Sequence, residues 1–148
     1  MLKLSKKSKS RNKSRNKSKS IVVSGKRKTA IAKASLKQGS GKIKINKVPL
    51  TLYEPKVYKM RIEEPFLLAG DIKDSVDISV TVKGGGAMGQ SDAIRTAIAR
   101  ALAQHFPKLK AVFLDYDRQL LVADVRLKET SKPNRHGSAR SKKQKSYR

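Results

Sequence analysis

Residues 76–106 read VDISVTVKGGGAMGQSDAIRTAIARALAQHF, and this stretch decides the fold. Apolar and polar residues alternate over residues 76–82, which predicts a strand with one buried face. After three glycines, apolar residues recur at helical spacing, namely Ile94, Ala97, Ile98, Ala101 and Leu102. We therefore predict a helix over residues 91–106, capped by Ser91 or a neighbour and ended by Pro107.

The residues before this stretch predict more strands and helices. Residues 21–36 alternate roughly, with Ala30, Ala32, Ala34 and Leu36 on one face. Residues 38–41 have the composition of a turn, and residues 42–45 alternate strictly. We predict that residues 21–36 and 42–45 form a β-hairpin, which residues 48–50 close. Residues 54–69 are predicted as two short helices, because Pro65 interrupts the pattern.

The residues after it are less regular. Residues 108–117 fit either a helix or a strand, and residues 120–123 are predicted to be extended. The whole pattern indicates the α+β class, with a β-sheet and helices packed on it.

Charge divides the chain into three parts. The 148 residues include 36 Lys and Arg against 11 Asp and Glu, which gives a net charge of +25. Residues 1–20 carry +9 and residues 126–148 carry +8 of this charge. We predict a disordered basic N-terminal extension (1–20), a globular α+β RNA-binding domain (21–125) and an extended basic C-terminal tail (126–148).

Composition also excludes several functions. The absence of cysteine excludes disulfides, cysteine zinc sites and thiol catalysis. Apolar runs are too short for a membrane span, and His105 and His136 have no neighbouring metal ligands in the sequence. We predict no enzyme activity, cofactor, metal, membrane or small-molecule substrate. Such a cationic chain needs a polyanionic partner, and nucleic acid is the natural one.

The glycine-rich segment allows three interpretations. Gly84-x-Gly86-x-x-Gly89 matches a dinucleotide fingerprint, with Asp115 as the acidic residue that such a site requires. The surrounding pattern lacks the repeated βαβ units of a dinucleotide domain. The glycines and the helix start could instead bind a polynucleotide phosphate beside Lys83, Arg95 and Arg100. The third interpretation is a glycine turn without a ligand.

Further basic residues are candidate RNA contacts. Lys26 and Lys28 share one face of the predicted strand and Arg27 faces the other, so an RNA backbone could be held from both sides. Near the C-terminus, Tyr147 could stack on a base while neighbouring cations bind phosphates. The predicted rRNA-binding residues are Lys26, Arg27, Lys28, Lys83, Gly84, Gly85, Gly86, Gly89, Gln90, Arg95, Arg100, Arg126, Arg135 and Arg140.

Several motifs together resemble one family. They are Gly25-x-Arg27-Lys28-x-Ala30-x-Ala32, Gly84-Gly85-Gly86-x-x-Gly89-Gln90, Tyr116-Asp117-Arg118 and the terminal Gln144-Lys145-Ser146-Tyr147-Arg148. This set is similar to the small-subunit ribosomal protein nine family, in its archaeal and eukaryotic branch. The resemblance implies a fold like the second domain of ribosomal protein S-five, a left-handed β-α-β layer.

The same resemblance implies a function. The protein would be a structural constituent of the small ribosomal subunit in the cytoplasm, binding ribosomal RNA in the head beside neighbouring head proteins. Its C-terminal tail would reach the anticodon stem-loop of the peptidyl-site tRNA, with Arg148 in contact and Tyr147 and Lys145 beside it. The rival hypotheses are a free-standing DNA-compacting protein and an enzyme that uses the glycine loop to bind a nucleotide.

Overall fold

A computed structural model describes residues 20–141, and within them a five-stranded sheet packs against three α-helices. The strands are β1 (Ile21–Arg27), β2 (Ala30–Gln38), β3 (Ile43–Ile45), β4 (Val48–Pro49) and β5 (Val76–Lys83), in the order β1-β2-β5-β3-β4. The helices are α1 (Lys56–Ala69), α2 (Ala87–His105) and α3 (Leu109–Tyr116). This architecture confirms the α+β prediction and is consistent with the fold of the second domain of ribosomal protein S-five.

The core lies between one face of the sheet and α2. Ala30, Ala32, Ala34 and Leu36 of β2 are buried, as their alternation predicted, and α2 buries its whole apolar stripe. A Cβ atom on Gly25 of β1 would lie 2.3 Å from the carbonyl oxygen of Ala93 in α2. Small residues on both elements therefore allow this helix to lie almost directly on the backbone of the sheet.

The predicted hairpin is wrong. Residues 21–36 are two strands, β1 and β2, which turn at Lys28 and Thr29 and pair antiparallel. β2 then pairs with β5, and β3 pairs parallel to β5 on its other edge. The alternation continues through a turn that contains no Gly, Pro or Asn, so the sequence pattern shows no break there.

Three local predictions are also corrected. Pro65 lies inside a single helix α1, because the buried face formed by Ile62, Phe66 and Ala69 outweighs one lost hydrogen bond. Helix α2 begins at Ala87 rather than Ser91, whose hydroxyl donates to the Met88 carbonyl inside the helix. Residues 120–123 are not a strand: Arg118–Leu120 is a 3-10 turn, and irregular chain follows it.

The sheet and the tail leave basic surface exposed. Outward-facing residues of β2, β3 and β5 include Lys33, Lys37, Lys44 and Lys83, all exposed on the face opposite α2. Residues 126–141 contain no helix or strand, apart from one isolated bridge between Gly137 and Arg140. Between residues 20 and 141, no helix combines the length and the hydropathy that a membrane crossing requires.

Candidate nucleic-acid interface

The glycine loop packs against the β1–β2 turn. Gly84 and Gly85 have φ values of +76° and +68°, in the left-handed region that favours glycine. A Cβ on Gly84 would lie 2.7 Å from the Thr29 carbonyl oxygen, and one on Gly85 would lie 2.9 Å from the Ala30 Cβ. The close approach that these two glycines permit is therefore to protein, whereas Gly86 faces open space.

The start of α2 completes this loop. Gly86 is the residue before the helix, and no side chain caps the first turn. The side-chain amide of Gln90 donates to the Gly84 carbonyl oxygen at 3.1 Å, which ties the glycine loop to the helix. The positive end of the helix dipole and the exposed Lys83 thus lie together at the carboxyl end of the central strand β5.

A groove of about 730 Å³ separates the β1–β2 turn from residues 126–128. Four cations line it, namely Lys26, Lys28, Arg126 and Lys128, together with Thr29, Ile31 and Leu127. No Asp or Glu is among these residues. We call this feature the basic groove. It brings together three of the predicted RNA contacts, and it adds Lys128, which our sequence analysis missed.

Three of the predicted RNA-binding arginines form ion pairs or hydrogen bonds within the domain. Arg27 forms ion pairs with Asp92 and Asp124, so its side chain points away from the basic groove. Arg95 is only 8% exposed and bonds to Glu64 at 3.0 Å and Asp117 at 2.8 Å. Arg100 donates to the carbonyl oxygens of Leu121 and Ser24, at 2.7 and 2.9 Å.

Asp124 fixes the point where the tail leaves the domain. Its carboxylate accepts hydrogen bonds from the side chain and backbone N–H of Arg126, and it also pairs with Arg27 of β1. Because these groups stabilise the ionised form, the pKa of Asp124 lies well below its usual range. Residues 126–128 are thereby held beside the β1–β2 turn, and the basic groove is formed between them.

The remaining predicted contacts lie along the tail. Arg140 bonds to Glu129 at 2.6 Å, and Arg135 is exposed without an ion pair to any residue between 20 and 141. The predicted tRNA contacts Lys145, Tyr147 and Arg148 lie outside the described residues, as does nearly all of the N-terminal extension. In the described part of the chain, no three His, Asp or Glu side chains are grouped so that they could hold a metal ion.

Comparison with known proteins agrees with the motifs. The family model described as ribosomal protein S9/S16 matches residues 25–148. Small ribosomal subunit protein uS9 of Methanococcus vannielii is 53% identical over 127 residues, which cover 84% of this chain and 95% of that protein. Its counterparts in Methanothrix thermoacetophila and Halobacterium salinarum are 50% and 47% identical, each over 84% of this chain and 96% of their own length.

Proposed function

The chain belongs to the ribosomal protein S9/S16 family, and on this basis we propose that it is a structural constituent of the small ribosomal subunit. The observation that carries the proposal is the family match over residues 25–148, which includes every described helix and strand except the start of β1. The protein then works in the cytoplasm as part of the ribosome, among ribosomal RNA and neighbouring ribosomal proteins.

RNA binding is the finer part of this proposal. Lys26, Lys28 and Lys83 are exposed and form no ion pair with other residues in the range 20–141. RNA double helices are recognised mainly through shape, phosphates and 2′-hydroxyls, which suits a surface of lysines on a rigid sheet. We assign phosphate contact to these lysines, to Arg135, and to the backbone at Gly86 and Gly89. Arg27, Arg95, Arg100, Arg126 and Arg140, whose side chains are already bonded within the protein, act by positioning this surface.

One face of α1 suits a protein neighbour better than RNA. Val57, Met60 and Leu67 share this face and are each more than half exposed, with the exposed Leu52 nearby in sequence. Aliphatic side chains offer nothing to phosphate groups, whereas they are the usual centre of a protein–protein contact. We propose that an adjacent ribosomal protein covers this face.

We assign the C-terminal tail to the peptidyl-site tRNA. The support is the resemblance of residues 144–148 to the family's terminal motif and the charge of +8 on residues 126–148. Deleting Tyr147 and Arg148 is expected to leave subunit incorporation nearly intact and to weaken tRNA retention on the small subunit. If the shortened protein fails to enter subunits, the tail serves assembly and the tRNA contact is refuted.

Co-sedimentation tests the main proposal. The tagged full chain, expressed in its own cells, is expected to migrate with small subunits in a sucrose gradient at low Mg²⁺. A variant with Lys26→Glu, Lys28→Glu and Lys128→Glu should be displaced by moderate salt. A control with Lys56→Glu, Lys108→Glu and Lys110→Glu has the same net charge and should stay bound. A wild-type protein found with bulk DNA would favour the rival, a DNA-compacting protein that binds duplex DNA and RNA alike.

A further inference from the structure

The basic groove differs from the other concave sites in what lines it. The neighbouring cavity around Asp92 and Asp124 contains acids that its arginines already neutralise. The apolar groove beside Phe66 includes both Glu63 and Asp74. In the basic groove, four cations line a space of about 730 Å³ with no acid among the lining residues. Arg126 pairs with Asp124 behind the groove, whereas Lys26, Lys28 and Lys128 form no ion pair with any residue between 20 and 141. These three unpaired charges favour an anionic occupant.

Two aliphatic side chains give this groove a second property. Ile31 and Leu127 are 46% and 51% exposed, and both lie on its wall. On the sheet, Ile31 stands between its cross-strand partners Lys26 and Lys83. Adjacent strands lie about 4.8 Å apart, so these lysine backbones flank the isoleucine across roughly 10 Å. A phosphate chain alone would leave these apolar surfaces in contact with water.

We propose that the basic groove binds one unpaired nucleotide of RNA, and this inference rests on the RNA binding proposed above. Lys26, Lys28 and Lys128 bind the phosphates on either side of the nucleotide. Its base lies between Ile31 and Leu127, which contact the two faces of the ring. Bases within a duplex are stacked and cannot enter, whereas bulges, loops and single strands expose them. The volume falls in the range of about 300–1,000 Å³ that is typical of small-ligand sites.

The test uses the purified full chain and two RNA hairpins of equal length. One hairpin carries a single bulged 2-aminopurine, and the other is fully paired. Wild-type protein is expected to bind the bulged hairpin more tightly and to change the 2-aminopurine fluorescence. The double variant Ile31→Ala, Leu127→Ala should reduce this preference by roughly threefold to tenfold, because the apolar surface that covers the base is removed. Its affinity for the paired hairpin should not change.

Matched controls make the result specific. Val57→Ala with Leu67→Ala removes two exposed aliphatic side chains from α1 and should leave the preference intact. Leu127 lies outside any helix or strand, so Leu127→Ala alone provides a variant that keeps the fold.

An unchanged bulge preference in the double variant overturns the nucleotide site while leaving the proposed ribosomal role in place. If the wild-type protein binds neither hairpin and does not sediment with small subunits, the nucleotide site and the proposed ribosomal role are both overturned. A third outcome is that the protein binds oligoglutamate as tightly as a single-stranded oligonucleotide of equal charge, and that the double variant lowers both affinities equally. The groove is then a site for an acidic protein, and the nucleotide site is overturned.

Discussion

The single hydrogen of the Gly25 side chain sets the distance between α2 and the sheet. A Cβ at this position would lie 2.3 Å from the Ala93 carbonyl oxygen and 2.6 Å from the Ala97 nitrogen, both in the helix backbone. Because backbone atoms cannot rotate away, Gly25→Ala must push the helix outward. We expect the free energy of unfolding, measured with urea, to fall by about 1–3 kcal/mol.

Gly89→Ala provides the opposite case. Gly89 lies in the first turn of α2, and an added Cβ would make only ordinary contacts of 3.6 and 3.7 Å. Alanine favours the helix and restricts the unfolded chain, so the same measurement should show a gain of about 0.4–1 kcal/mol. If Gly25→Ala and Gly89→Ala lower the free energy of unfolding by similar amounts, the spacing between β1 and α2 is not what constrains Gly25.

The Asp124 carboxylate makes stability depend on pH. Its pKa is lowered in the folded protein by hydrogen bonds from Arg126 and by the charge of Arg27, whereas the unfolded chain has an ordinary value of about 3.9. Its contribution to stability is therefore complete above that value and is lost as the pH falls below it. Urea unfolding at pH 7 and pH 3 should show a larger decrease for wild type than for Asp124→Asn. Asp71→Asn removes an exposed carboxylate elsewhere and should behave as wild type does.

At this scale the sequence predicts which residues are basic, but not which ones are available to RNA. Lys26, Arg27 and Lys28 are adjacent, yet Arg27 pairs with Asp92 and Asp124, while the two lysines line the basic groove. The acids that neutralise Arg27 come from α2 and from the residues after Leu120, far along the chain. Only the tertiary fold brings them together, so composition could not separate positioning arginines from candidate phosphate contacts.

Among the elements, β3 is held to β5 by a side chain beyond its own end. The Asn46 side-chain oxygen accepts a hydrogen bond from the Val82 N–H at 2.9 Å, and its amide donates to the Val82 carbonyl oxygen at 3.3 Å. Asn46→Ala leaves a donor and an acceptor of β5 without these partners. We expect it to lower the free energy of unfolding by roughly 1–3 kcal/mol.

A second variant shows which half of this interaction matters. Asn46→Asp keeps an acceptor for the Val82 N–H but removes the amide donor, and its φ of +46° is tolerated by both residue types. Its unfolding free energy should lie between those of wild type and Asn46→Ala. An alanine variant as stable as wild type would show that the parallel pairing of β3 and β5 alone holds this edge.

Strand faces were predictable here and strand partners were not. The alternation in β2 and β5 correctly assigned Ala30, Ala32, Val80 and Val82 to the core. The order of the sheet depends on β5, which follows β3 by a whole helix and yet inserts between β2 and β3. Hairpin signals describe only neighbours in sequence, so they favoured pairing residues 21–36 with 42–45. Pro65 was misread for a similar reason, since its helix is stabilised by packing rather than by local propensity.

In the molecule as a whole, acidic side chains pair with arginines near α2, whereas many lysines have no acidic partner among the described residues. Glu64, Asp92, Asp117 and Asp124 each pair with an arginine near α2. Lysines without an ion pair to any residue in the range 20–141 lie on the β1–β2 turn, in the basic groove and on the outer face of the sheet, and both chain ends add further charge. These four acids therefore hold the domain together and leave the lysines of the groove and the outer sheet face unpaired within the described part of the chain, and the net charge of +25 is left for an external polyanion.

The N-terminal extension should contribute affinity through charge alone. Residues 1–19 carry nine basic side chains and no acidic one, and they precede the matched family region, which begins at residue 25. Deleting them should weaken RNA binding at low salt and reduce the slope of log K against log[salt] by about 0.7–0.9 for each phosphate that the extension neutralises in the full-length protein. Titrations of both proteins across a range of salt concentrations measure this slope, and the two affinities should converge at high salt, where the charge contribution disappears. Co-sedimentation with small subunits should persist, because the basic groove and the α1 face are retained. If the plots of log K against log[salt] have the same slope for the full-length and the shortened protein, the extension binds no phosphate and acts on some other part of the assembly.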